Sequence, residues 1–126
     1  MTGGLVFARV VCVLTGLYYS SFGALLFFFP HTFWSRIGPI GPFNQHYARD
    51  VGSFLLPLGA ILFVAAFDPR RFRTVIAFAA LGSTLHAISH LLDGVRSSRD
   101  LVSNIGLAAI AGLLAAIIPM CKGGEE

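Results

Sequence analysis

Residues 51–92 read VGSFLLPLGAILFVAAFDPRRFRTVIAFAALGSTLHAISHLL, and this stretch decides the fold. Two apolar runs flank the polar break Asp68-Pro69-Arg70-Arg71. Each run approaches the ~20 residues that carry a helix across a hydrocarbon core. A break this short forces the two helices to lie side by side and antiparallel.

Working outward, the same pattern recurs on both sides. A first apolar run extends from about Leu5 to Phe29 and is stopped by Pro30. The second reaches back to Asn44, although its first turns, Asn44 to Asp50, are polar, and it ends at Phe67. The third covers Arg73 to Leu92 and the fourth Leu101 to Met120. Runs of this length must satisfy every backbone group internally, which in lipid selects helices over open strands. The expectation is an all-α fold: an integral membrane, up-down-up-down four-helix transmembrane bundle, with residues 1–126 forming one four-span domain. Gly94 to Asp100 is a short link, and only Pro30 to Phe43 has any length. Within it, Gly38-Pro39-Ile40-Gly41-Pro42 reads as a turn-rich lid, with Phe33 and Trp34 suited to the headgroup level.

Composition agrees. Of 126 residues, 56% are hydrophobic and 12% charged, with a mean hydropathy of +0.77. A soluble domain carries about a quarter of its residues charged, so a water-soluble domain and a disordered chain are both excluded. The lipid bilayer is the implied partner. Nine Lys and Arg against six Asp and Glu give +3, but they are scattered, and no exposed basic stripe offers a nucleic-acid surface. The first run lacks a basic flank before it, carries Arg9 inside, and is too long for a cleaved signal's core, so it is read as a span. Cys12 and Cys121 lie in apolar segments, where free Cys behaves as a small hydrophobe.

The topology places Arg9, Arg70, Arg71, Arg73 and Lys122 on one side and Arg36, Arg49, Arg96 and Arg99 on the other. That bias favours a cell-membrane protein with cytoplasmic termini.

The informative residues are those a lipid-facing helix would not carry. His46 and Asp50 are four apart and share a helical face, continued by Ser53 and Pro57. His86, His90 and Asp93 share a face of the next span, with Gly82 and Ser83 one turn below. Folding these spans about Pro69 sets residue 50 level with about residue 89, so both faces are expected in one polar layer. Tyr18 and Tyr19 on the first span, and Ser103 and Asn104 in the first turn of the fourth, reach the same layer. Arg49 projects about 100° from Asp50. Ionisable groups within spans normally face the interior and pair with one another.

Three chemistries fit. Asp50 could lock helix two to helix three by accepting from His86 or His90, as polar glue. His46, His86, His90 and Asp50 could hold a metal, or the histidines a haem, in a redox protein. A polar cavity could take up a small ligand or relay protons, which as a transporter would need an oligomer. The glutamate of a zinc-protease helix is absent, since position 87 is Ala. No nucleophile–base pair stands out, and the most economical reading is a polar, ligand-binding site without catalysis. Gly106, Ala109, Gly112 and Ala115 form a small-residue pattern that serves packing within the bundle or a homo-oligomer. Phe27-Phe28-Phe29 reads as lipid-facing bulk, and Glu125-Glu126 as a solvated tail.

The stretch Pro42-Phe43-Asn44-Gln45-His46-Tyr47-Ala48-Arg49-Asp50-Val51-Gly52, followed by His86 and His90 on the next span, resembles small four-span bacterial membrane proteins. These carry an Asn-x-His-x-x-Arg-Asp-Val-Gly signature and are loosely DoxX-like in size and topology. The resemblance covers the middle half of the chain. It implies the four-span bundle and the importance of Asn44, His46, Arg49, Asp50, His86 and His90, and it implies no substrate.

Overall fold

The computed structural model describes residues 3–39 and 41–122. Ile40 of the expected lid and Glu125 and Glu126 of the expected tail lie outside the described residues. The fold is all-α, with α1 Gly3–Phe28, α2 Pro30–Arg36, α3 Gln45–Phe67, α4 Arg73–Asp93, α5 Ser98–Ile117 and a closing 3-10 turn Pro119–Cys121. Four segments, namely α1, α3, α4 and Ser98–Cys121, are long and apolar enough to cross a membrane. Many large apolar side chains face outward, Phe54, Phe67, Phe78 and Leu92 among them. A water-facing surface would not carry so many, so these helices face lipid.

The chain divides into two compact units. One is Val13–Val64, which holds most of α1, all of α2 and most of α3. The other joins the residues up to Cys12 with those from Ala65 onward, and so contains α4 and α5.

In the Val13–Val64 unit, glycine decides the packing. A Cβ on Gly23 would lie 2.8 Å from the Leu56 Cα, and one on Gly52 would lie 2.8 Å from the Gly23 carbonyl oxygen. One on Gly59 would lie 2.7 Å from the Gly16 carbonyl oxygen and collide with Ser20. Gly16 therefore faces Gly59, and Gly23 faces Gly52, seven residues further along each helix. Seven residues are two turns, about 10.5 Å, so a single face of each helix meets the other throughout. Bare Cα atoms let the backbones come together where hydrocarbon offers no hydrophobic drive. Pro57 sits inside α3 on an exposed position beside this seam.

The link after α1 is more ordered than a lid. Phe29 follows α1 as the N-cap of α2, and Pro30 opens α2 at its first turn, where its missing N–H is no loss. The Trp34 indole Nε1 donates to the Gly41 carbonyl at 3.1 Å, and the His31, Trp34 and Phe43 rings lie 5.2–6.0 Å apart. These contacts staple the link back onto its own helix. The composition of Gly38–Pro42 signals turns, but a seven-residue helix opened by proline carries too few periodic residues to be read in advance.

In the second unit α4 and α5 form a hairpin. Gly94 ends α4 at φ 82°, a conformation open to glycine. Ser97 caps α5 by accepting from the Asp100 N–H at 3.2 Å, while the Asp100 carboxylate accepts from the Arg96 N–H at 3.0 Å. This reciprocal cap starts α5 at Ser98 rather than Leu101. Asn104 accordingly lies in the second turn, not the first. The buried stripes are Ile76, Ala79, Ala80, Ser83 and Ala87 on α4, and Asn104, Leu107, Ala111, Leu114 and Ile117 on α5. Gly106, Ala109, Gly112 and Ala115 lie off that stripe and are exposed, with nothing within 4 Å of a Cβ built on Gly106 or Gly112. They do not mediate the α4–α5 contact.

Candidate functional site

The expected polar residues fall into both units. Asn44, His46, Arg49 and Asp50 belong to Val13–Val64, as does Tyr19; His86, His90, Asp93 and Asn104 belong to the other.

At the start of α3, Asn44 is the N-cap: its Oδ1 accepts from the Tyr47 N–H at 3.0 Å. The local reason for an asparagine here is therefore helix initiation. His46 Nε2 and Asp50 Oδ2 are 3.4 Å apart on one helical face, as the spacing of four requires, with side chains 89% and 59% exposed. The Asp50 carbonyl accepts from the Ser53 hydroxyl at 2.7 Å. Asp50 meets a histidine, but it is His46, its neighbour one turn back. Arg49 is exposed. An exposed i,i+4 pair contributes little. Asp50→Ala and Asp50→Asn are each expected to cost about 0.5 kcal/mol or less in denaturation of the detergent-solubilised protein. A loss several times larger in either variant would show that the carboxylate has a further partner.

Tyr19 is buried in α1 and stacks edge-on against Tyr18, which packs on Phe22, which in turn meets Phe33 of α2. This aromatic chain ties α2 to α1, a role that periodicity alone did not suggest. The signal was the run of rings at 18, 19, 22 and 33.

On α4 the His86 and His90 rings are 4.9 Å apart, both half-buried at the margins of that helix's buried stripe. Asp93 is exposed one turn beyond. The Ser89 hydroxyl donates to the His86 carbonyl at 2.8 Å, which occupies it in a backbone contact. Asn104 is 7% exposed, and neither its Oδ1 nor its Nδ2 has a hydrogen-bond partner. Counting back from the hairpin turn sets Asn104 level with Ala87, between the two histidine positions. The buried residues of α4 nearest that level are Ala87 and Ser83, and Ser83 donates its hydroxyl to the Ala79 carbonyl at 2.7 Å.

No protein-family model, curated protein or solved structure matches this chain. Among the described residues no three His, Cys, Asp or Glu side chains are grouped so as to hold a metal ion. The two imidazoles of α4 supply two nitrogen ligands, where a structural or catalytic zinc takes at least three protein ligands. Cys12 and Cys121 are both buried, and no disulfide joins them. Chemically, the second unit offers a buried amide whose donor and acceptor are unpaired, and two imidazoles on α4.

Proposed function

We propose that the chain is a small multi-pass membrane protein that binds a small neutral molecule between α4 and α5, with the Asn104 amide as the recognition group. The observation that carries this reading is that Asn104, buried in an apolar span, has neither amide atom paired. Buried polar groups in native proteins are paired as a rule, and one with both ends open implies a guest that completes it. The asparagine amide presents a donor and an acceptor side by side, so the complementary guest carries an acceptor and a donor on neighbouring atoms. A primary amide, a protonated carboxylic acid or a hydroxyl with its water has that pattern. Asparagine offers no charge to offset desolvation of an ion, which argues for a neutral guest. His86 and His90 add nitrogens that donate or accept according to tautomer. Catalysis is no part of the proposal. In this reading the Arg70–Arg73 turn faces the cytoplasm, since Lys and Arg near span ends favour that side.

Native mass spectrometry of the protein extracted in mild detergent tests the site. Wild type is expected to carry a small molecule that is missing from Asn104→Leu, while Asp50→Asn, in the other unit, retains it. Identical spectra for wild type and Asn104→Leu would sink the reading.

A further inference from the structure

Basic residues that are scattered in sequence are gathered by the fold. In the unit that holds α4 and α5, Arg9 of α1 donates through Nη2 to the carbonyl of Phe67, the last residue of α3, at 3.1 Å. Arg9 stands two turns into its span, and a helical side chain leans toward the helix N-terminus, so its guanidinium reaches the end of the helix rather than staying in the apolar zone. Three residues beyond Phe67 the turn into α4 begins its run of Arg70, Arg71 and Arg73, all exposed. Cys121 lies within electrostatic reach of Arg70 and Arg73, and it precedes the exposed Lys122. A Cβ on Gly4 would touch the Met120 side chain at 3.5 Å, which brings the start of α1 to the same end. Five cations from four segments thus share one end of this unit.

Among the described residues little opposes them. Asp68 is the one carboxylate at this end among the described residues, and its Oδ1 accepts from the Arg71 backbone N–H at 3.2 Å. Among the described residues the one ion pair is His46–Asp50, in the other unit, so none of the five cations has a carboxylate within 4 Å. At the opposite end of the α4–α5 hairpin Arg96 and Arg99 are balanced by Asp93 and Asp100. Among the described residues the surplus is thus one-sided. Beside it the Phe67 ring is 82% exposed, and the Arg71 guanidinium lies 5.9 Å over the Phe72 ring. Exposed aromatic surface adjoining unpaired guanidinium groups, at the end of helices of membrane length, matches a molecule that is apolar below and anionic above.

We infer that this end binds the phosphate-bearing headgroups of anionic glycerophospholipids, held by Arg70, Arg71 and Arg73 with Arg9 and Lys122 at the margin. Guanidinium groups suit phosphate because their fork of N–H donors matches two oxygens at once. The inference rests on the four helices being spans and is independent of the Asn104 site. It also explains the chemistry of Arg9, whose buried Nε has no partner in the protein.

The test measures binding of phosphatidylglycerol and of phosphatidylcholine with the same acyl chains to the full-length protein in a neutral detergent. A basic residue near an anionic surface is worth about fivefold in affinity at low salt. Wild type is expected to prefer phosphatidylglycerol by about tenfold or more, and the preference should collapse at high salt. Arg70→Gln/Arg71→Gln/Arg73→Gln should abolish it, Arg70→Lys/Arg71→Lys/Arg73→Lys should keep most of it, and Arg96→Gln/Arg99→Gln should leave it unchanged. Equal affinity for the two lipids, a preference indifferent to salt, or one that survives the glutamine triple would overturn the inference. Inorganic phosphate that displaces the lipid at equal concentration would do the same, by assigning the site to a free anion. If the glutamine triple does not fold, the salt dependence of wild type and the lysine triple decide between these outcomes.

Discussion

Gly23→Ala, Gly52→Ala and Gly59→Ala are each expected to destabilise the protein by about 3 kcal/mol, and leucine at any of the three should prevent folded protein from accumulating. Alanine normally favours a helix over glycine by up to about 1 kcal/mol, so intrinsic propensity argues the other way. Contact geometry wins here because the atoms in the way belong to backbone. A Cβ on Gly23 meets the Cα of Leu56 at 2.8 Å, and one on Gly52 meets the Phe27 nitrogen at 2.7 Å. No rotamer change relieves such an overlap; α1 and α3 would have to separate, and every contact along the seam would weaken with distance. Gly16 is the graded case. Its nearest atoms are the Gly59 carbonyl oxygen at 3.1 Å and the Phe63 ring at 3.3 Å, and Gly16→Ala should cost less than the other three. Gly106→Ala and Gly112→Ala, with open space at both sites, should be neutral or gain up to about 1 kcal/mol. Thermal denaturation of the six variants in one detergent checks the ranking. Six equal effects would mean that the glycines of α1 and α3 do not form the seam.

How much of this could be read beforehand follows from the range of each interaction. Span positions were legible because lipid imposes a length and an apolar composition on any segment that crosses it. The ends of α3 and α4 fall within a residue or so of the expectation, at Gln45, Phe67, Arg73 and Asp93. α5 starts three residues before the expected Leu101, because polar Ser98, Arg99 and Asp100 look like linker while the Ser97–Asp100 cap makes them helix. Helix contacts were harder. Gly106, Ala109 and Gly112 are conspicuous because they crowd one span, whereas the seam that forms uses Gly16 and Gly23 with Gly52 and Gly59. Its signature is a spacing of seven repeated on two spans, and it becomes visible only when both are compared. Of the site residues, the His46–Asp50 pair follows from spacing alone, since partners one turn apart on a helix can hardly avoid each other. The isolation of Asn104 does not follow from spacing. It depends on which side chains the fold sets around a buried amide, and a linear sequence does not order those.

Asn104→Leu is expected to raise the stability of the ligand-free protein, against the ordinary rule that a buried substitution destabilises. Leucine is close to asparagine in shape, so the change leaves the packing of α5 against α4 largely intact. What it removes is a donor and an acceptor that are desolvated without partners, a penalty of about 1–3 kcal/mol. Leucine also returns a helix-favouring, apolar side chain to a stripe that is otherwise Leu107, Ala111, Leu114 and Ile117. Asn104→Ala should fall between the two, since it relieves the amide but leaves a small void. Denaturation after extensive dialysis against detergent, which strips any bound small molecule, gives the ligand-free values. The same measurement on protein taken directly from the membrane should narrow or reverse the gap, because a bound guest stabilises wild type and leaves Asn104→Leu untouched. If Asn104→Leu is instead less stable than wild type after dialysis, the amide is satisfied within the protein itself. The asparagine would then be glue between helices, and the case for a guest at this position would be lost.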